Sequence, residues 1–144
     1  MKRRLPRRKI AERDMTAPLR RLFPAARFAM LTEVPFNGKS IDVLLLDRRT
    51  RRLIAVELKL DKWRKALRQA AAYQLCAHAA YVGLPENQLD EISYAAISDH
   101  GLGVISFRRA GRGLSAQIIC RPRATGLMNR DYARQVRKLF EHAG

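Results

Sequence analysis

Four side chains between positions 33 and 59 have types and spacing that could do chemistry together: Glu33, Asp42, Glu57 and Lys59. Pairing arithmetic brings them to one place. Asn37-Gly38 is the strongest short signal for a two-residue hairpin turn, so Phe36 faces Lys39 and facing residue numbers sum to 75. Glu33 then lies opposite Asp42. A four-residue loop at Arg48-Arg49-Thr50-Arg51 sets Asp47 against Arg52, a sum of 99, and Asp42 against Glu57. That register also matches apolar with apolar at Val43/Val56, Leu44/Ala55, Leu45/Ile54 and Leu46/Leu53. Three carboxylates would form a row across three antiparallel strands, with Lys59 on the same face two residues beyond Glu57. Facing residues have Cβ atoms about 4.5–5.5 Å apart, so the three acids repel unless a cation offsets them. Hard oxygen donors at that spacing suit Mg²⁺ or Mn²⁺.

The elements that must position this row can be read from the same pattern. Ile10, Met15, Leu19 and Leu22 suggest a modest helix ended by Pro24. Strand-like runs follow at residues 27–34, 40–47 and 52–60. Asp61 is a suitable N-cap for a helix reaching about His78, and residues 80–84 form a short buried strand. The acidic stretch 86–99 is expected to be partly helical. A hairpin at 102–108 and 114–121 comes next, and a last helix at about 130–142 is capped by Asn129, with Val136, Leu139 and Phe140 as its apolar face. The order is α-β-β-β-α-β followed by an extension ending in a hairpin and helix, an α/β fold with a mixed central sheet.

Asp42, fourteen residues, then Glu57-Leu58-Lys59, on a hairpin between two helices, resembles the PD-(D/E)xK nuclease superfamily. The superfamily includes restriction endonucleases, archaeal-type Holliday junction resolvases and repair nucleases. The resemblance covers residues 10–84 and implies a restriction-endonuclease-like αβββαβ core. Gln69 and Tyr73 match the Gln-x-x-x-Tyr pattern of some members, notably RecB-like nucleases. Ile41 stands where the motif's name has proline. By resemblance, Asp42 and Glu57 would bind metal, with the Leu58 carbonyl as a further ligand. Lys59 would position or activate the attacking water, or stabilise charge on the phosphorus. Glu33 would supply the upstream acid; some members take theirs from the first helix, which makes Glu12 a rival. Gln69 and Tyr73 share a helical stripe with Lys62 and Lys65, which could brace the ligands and track a phosphate backbone.

Composition fits such a substrate. The 144 residues carry 29 Lys+Arg against 13 Asp+Glu, a net charge of +16, and 22 of the basic residues are Arg. Arginine's planar fork suits phosphate, and so high a charge points to a polyanion. The partner is expected to be DNA, with RNA not excluded. Arg48 and Arg49, at one arginine-rich turn, are candidate backbone contacts; Arg108, Arg109 and Arg112 ring another. Residues 1–9, six of them basic, are expected to be a flexible arm ahead of a single domain at 10–144. No apolar run approaches the ~20 residues that span a bilayer, and no apolar signal-peptide segment follows the basic start, so a cytoplasmic protein with no membrane partner is expected. Two cysteines are too few for a disulfide scaffold.

Three functions follow. The first is a Mg²⁺-dependent DNA endonuclease, a symmetric homodimer if it cuts both strands of a duplex. The second is a nuclease-fold protein that binds nucleic acid without cutting. The third is a basic RNA- or ribosome-associated protein in which the motif is accidental. Against all three stands a bland reading of Glu33, Asp42 and Glu57 as a solvated acidic stripe neutralised by arginine. Acid scarcity weakens it, since three of the six acids in residues 1–60 fall in one row.

Overall fold

The computed structural model describes residues 11–142. The expected basic arm and Ile10 lie outside those residues. Six strands form one mixed sheet in sequence order: β1 (Phe28–Phe36), β2 (Lys39–Asp47), β3 (Leu53–Leu58), β4 (Ala79–Pro85), β5 (Gly103–Ala110) and β6 (Gly113–Cys120). β1, β2 and β3 pair antiparallel, β3, β4 and β5 parallel, and β5 and β6 antiparallel. The helices are α1 (Glu12–Leu22), α2 (Trp63–Tyr73), α3 (Tyr94–Asp99) and α4 (Arg130–His142). The first six elements thus run αβββαβ. No helix among the described residues is long and apolar enough to cross a membrane.

Burying both faces of the sheet explains why β2 and β3 are apolar at nearly every position. On one face α1 packs Met15 and Leu19 against Val43, Leu45, Val56 and Leu58. On the other, α2 and α4 bring Ala66, Ala70, Tyr73, Ala133 and Val136 against Leu44, Leu46, Leu53 and Ala55. Both register sums are as the turns dictate: Val34 pairs with Ile41, Phe28 with Asp47, and Val43 with Val56.

Alternation breaks at one place. Ala29 and Leu31 pack toward α2, and so do Val34 and Phe36, although their parity is opposite. Between them Glu33 has φ +52°, a left-handed backbone that turns the strand over. β2 follows suit, because Ile41 joins Leu44 and Leu46 on the α2 side despite opposite parity. The sheet therefore reverses its facing at Glu33 and Asp42 while register is conserved on either side.

Several boundaries differ from the sequence expectation. Asp61 does not cap α2; Lys62 does, with a left-handed backbone (φ 55°, ψ 53°) and no side-chain hydrogen bond. The helix stops at Tyr73 rather than His78, and His78, just ahead of β4, bonds to β3 instead. Its amide donates to the Leu53 carbonyl (2.9 Å), and its Nδ1 accepts from the Leu53 amide (2.9 Å). Burial, with Arg52 and Arg137 nearby, lowers the His78 pKa and keeps Nδ1 an acceptor. β3 ends at Leu58 instead of residue 60, although the Lys59 amide still donates to the Gly83 carbonyl (3.0 Å). Leu139, expected on the apolar face of α4, is exposed, and Ala133 is buried with Val136. Asn129 caps α4 as expected, its Oδ1 accepting from the amides of Asp131 (2.9 Å) and Tyr132 (3.2 Å).

Candidate active site

The hairpin end of β2 and the C-terminal end of β3 bring Asp42 and Glu57 together under the last turn of α2. Glu57 is buried, and its Oε2 accepts a hydrogen bond from the Tyr73 hydroxyl at 2.9 Å. The same hydroxyl lies 3.0 Å from the Ser40 carbonyl. Asp42 is half-buried, and its Oδ2 accepts from the Leu58 amide at 2.8 Å. Each carboxylate therefore has one oxygen held by a protein donor and one left over. Lys59 sends its Nζ to 3.9 Å from Glu57 Oε1.

Electrostatics mark the pair as unsatisfied. Burial, then the charge of Asp42, pushes the Glu57 pKa up to about 8, against the pull of Tyr73 and Lys59. Asp42 is also raised, first by burial, with the Leu58 amide opposing and Glu33 adding repulsion. Two acids in contact cannot both ionise cheaply, so the pair carries a proton near neutrality in the absence of a cation. Tyr73 is driven well above the usual phenol range by burial and by Glu57, and stays a donor.

The row is realised for two of its three carboxylates. The left-handed turn at Glu33 leaves its side chain exposed, with Oε2 accepting from the Ser40 hydroxyl at 3.1 Å. Among the described residues no three His, Cys, Asp or Glu side chains come together as a metal cluster. Glu12, the rival upstream acid, is an exposed residue at the start of α1. What Asp42 and Glu57 could hold is a hard divalent cation of the kind that takes one or two carboxylates and completes its shell with water or phosphate. Their free oxygens and mutual repulsion fit that role.

Of the supporting residues, Tyr73 is in contact with the pair. Gln69 lies one turn earlier on α2 with its Oε1 buried and without a hydrogen-bond partner. Lys62 and Lys65 are exposed at the start of α2, while Arg48 and Arg49 are exposed on the β2–β3 turn. That turn lies at the other end of β2, five residues beyond Asp42 or about 17 Å away. Sequence reasoning missed Ser40, whose carbonyl and hydroxyl anchor Tyr73 and Glu33; its place beside Pro35 in the 75 register was the available signal. It also missed Gly83, opposite Leu58 on β4. A Cβ there would come within 2.8 Å of Leu58 Cδ2 and 3.0 Å of Phe107 Cε2, so a larger residue would have to displace those side chains beside Glu57 and Lys59.

Comparison with known proteins adds the fold and little else. No family model and no curated protein matches the chain. Among solved structures it is similar to a protein of unknown function from Silicibacter pomeroyi, at TM-score 0.68 and 16% identity, over 92% of this chain and 84% of that one. It is also aligned with SfsA from Pyrococcus furiosus in complex with Ca²⁺, at TM-score 0.42 and 9% identity, over 79% and 62% of the two chains. The first likeness shows a shared mixed α/β architecture. The second is too distant to carry an argument.

Proposed function

We propose that this protein is a metal-dependent DNA endonuclease with a restriction-endonuclease-like core. One observation carries the reading: a half-buried Asp42 against a buried Glu57, each carboxylate with only one oxygen held by a hydrogen-bond donor, and the Lys59 ammonium 3.9 Å from Glu57 Oε1. Asp42, Glu57 and the Leu58 carbonyl would hold Mg²⁺ or Mn²⁺. Once bound, the cation would supply a nucleophile at neutral pH and a positive charge beside the scissile phosphate. Tyr73 fixes the Glu57 rotamer, and the Leu58 amide fixes Asp42. Lys59 presents an ammonium to the phosphate and can orient the attacking water or neutralise charge as it develops. Gln69 offers a further buried acceptor on the same helix. The excess of arginine would hold the phosphate backbone, and cutting both strands of a duplex would need two copies related by a two-fold axis.

The test uses purified protein with supercoiled, linear and branched DNA, in Mg²⁺ or Mn²⁺ and in chelator. Cleavage that requires metal and is lost in Asp42→Ala, Glu57→Ala and Lys59→Ala is the expected outcome. Salt-sensitive binding without cleavage would favour the nuclease-fold binding protein instead.

A further inference from the structure

At the end of β2 away from the carboxylates, four arginines from three separate segments line one groove. They are Arg20 of α1, Arg48 and Arg51 of the β2–β3 turn, and Arg137 of α4. The groove has a volume of about 570 Å³ and an apolar floor that includes Leu31 and Phe140. One acid, Glu141, also borders it, yet among the described residues none of the four guanidinium groups forms an ion pair with a carboxylate.

Three of the four arginines are held by backbone carbonyls. Arg20 donates to Phe28 (2.8 Å), Arg48 to Ala25, and Arg137 to Arg51 (3.4 Å). A carbonyl orients a guanidinium without neutralising it, so like charges are fixed around one concavity. The buried Nε of Arg137 meets no acceptor at all. A buried donor that the protein leaves unpaired is unfavourable. Guanidinium forks aimed into a cleft match phosphate oxygens best.

We infer that this groove binds a phosphate of a nucleic-acid strand, with the adjoining sugar or base on its apolar floor. The inference rests on the nucleic-acid reading above and adds a second contact remote from the cutting site. Asp42 and Arg48 are six residues apart on β2 and its turn, or about 20 Å. That distance corresponds to about six steps of a duplex strand. The groove would thus fix which phosphate lies at the carboxylates by gripping the strand several nucleotides away.

The experiment measures binding of a fluorescein-labelled DNA duplex by anisotropy, in chelator and over a range of salt, so that cleavage plays no part. The wild-type chain is compared with Arg48→Gln/Arg51→Gln, with Arg137→Gln, and with Arg109→Gln/Arg112→Gln on the distant β5–β6 hairpin. Circular dichroism confirms that each variant is folded, and the exposed pair Arg48 and Arg51 decides the matter if Arg137→Gln is not. The groove variants are expected to bind roughly tenfold more weakly per arginine and to lower the salt slope by about one per contact. The hairpin double variant should lose much less. Equal losses at groove and hairpin, or no loss at the groove, would overturn the inference, as would competition by poly-glutamate as strong as by unlabelled DNA. A chain that binds in this way but never cuts would overturn the nuclease reading and leave the groove standing.

Discussion

Two aspartates on one strand, Asp42 and Asp47, end in opposite electrostatic states. Asp47 is buried and fully provided for. The Arg27 fork grips both its oxygens, at 3.0 and 2.7 Å, and the Arg49 amide donates at 3.0 Å. Those partners, Arg27 foremost, hold its carboxyl well below the usual range. Asp42, five residues earlier, receives one amide and faces another acid, and its pKa moves up. The difference separates a carboxylate paired within the fold from one that the fold leaves without a counter-charge, the one that the proposed function gives to a metal. A structural acid comes with its counter-charge; a reactive one is packed so that the counter-charge must arrive from outside.

Substitutions should therefore split along this line. The largest effect is expected at the pair: Asp42→Asn or Glu57→Gln should lower metal-dependent cleavage on the order of 10³-fold or more. Because repulsion is relieved, thermal denaturation in chelator should show unchanged or higher stability. Lys59→Ala should cost about 10²-fold in the rate under single-turnover conditions, with metal affinity little changed.

Acid and alkali should act on the two aspartates' surroundings in opposite senses. Glu57 has its pKa raised on folding, so its contribution to stability is present below about pH 4.3 and is lost as pH rises through about 8. In chelator, stability should fall across that window, with a slope approaching about 1.4 kcal/mol per pH unit, and Mg²⁺ should flatten it. Asp47 is depressed, so its contribution is present above about pH 3.9 and is lost as pH falls below that. Urea unfolding at a series of pH values reads both.

Asp47→Asn should destabilise by about 2–3 kcal/mol and leave the cleavage rate of the folded fraction intact. The smallest effect is expected from Tyr73→Phe. Removing one donor to Glu57 should slow cleavage about tenfold and, because Tyr73 holds the Glu57 pKa down, move the acid side of the pH–rate profile upward, which a merely structural loss would not do.

Much of this was legible in the sequence because turn chemistry and apolar pairing are local. Asn37-Gly38 and the Arg48–Arg51 loop set the register, and both sums reappear in the sheet. The contact of Asp42 with Glu57 follows from them. Glu33 was misplaced for a physical reason: β1 is apolar on both faces, so its pattern carries no mark of a left-handed residue that reverses the strand. The early end of α2 was equally hidden, because it depends on His78 binding Leu53 across the sheet. Nor could any local pattern gather Arg20, Arg48, Arg51 and Arg137, which meet only when α1 and α4 close over the edge strand β1.

The most direct measurement compares Asp42→Asn with Asp47→Asn on supercoiled DNA in Mg²⁺, each normalised to its folded fraction. Asp47→Asn is expected to cut at close to the wild-type rate, while Asp42→Asn and the wild-type chain in chelator leave the plasmid intact. Cleavage by Asp42→Asn at the wild-type rate would contradict it, as would a wild-type chain that leaves the plasmid untouched in Mg²⁺ and Mn²⁺.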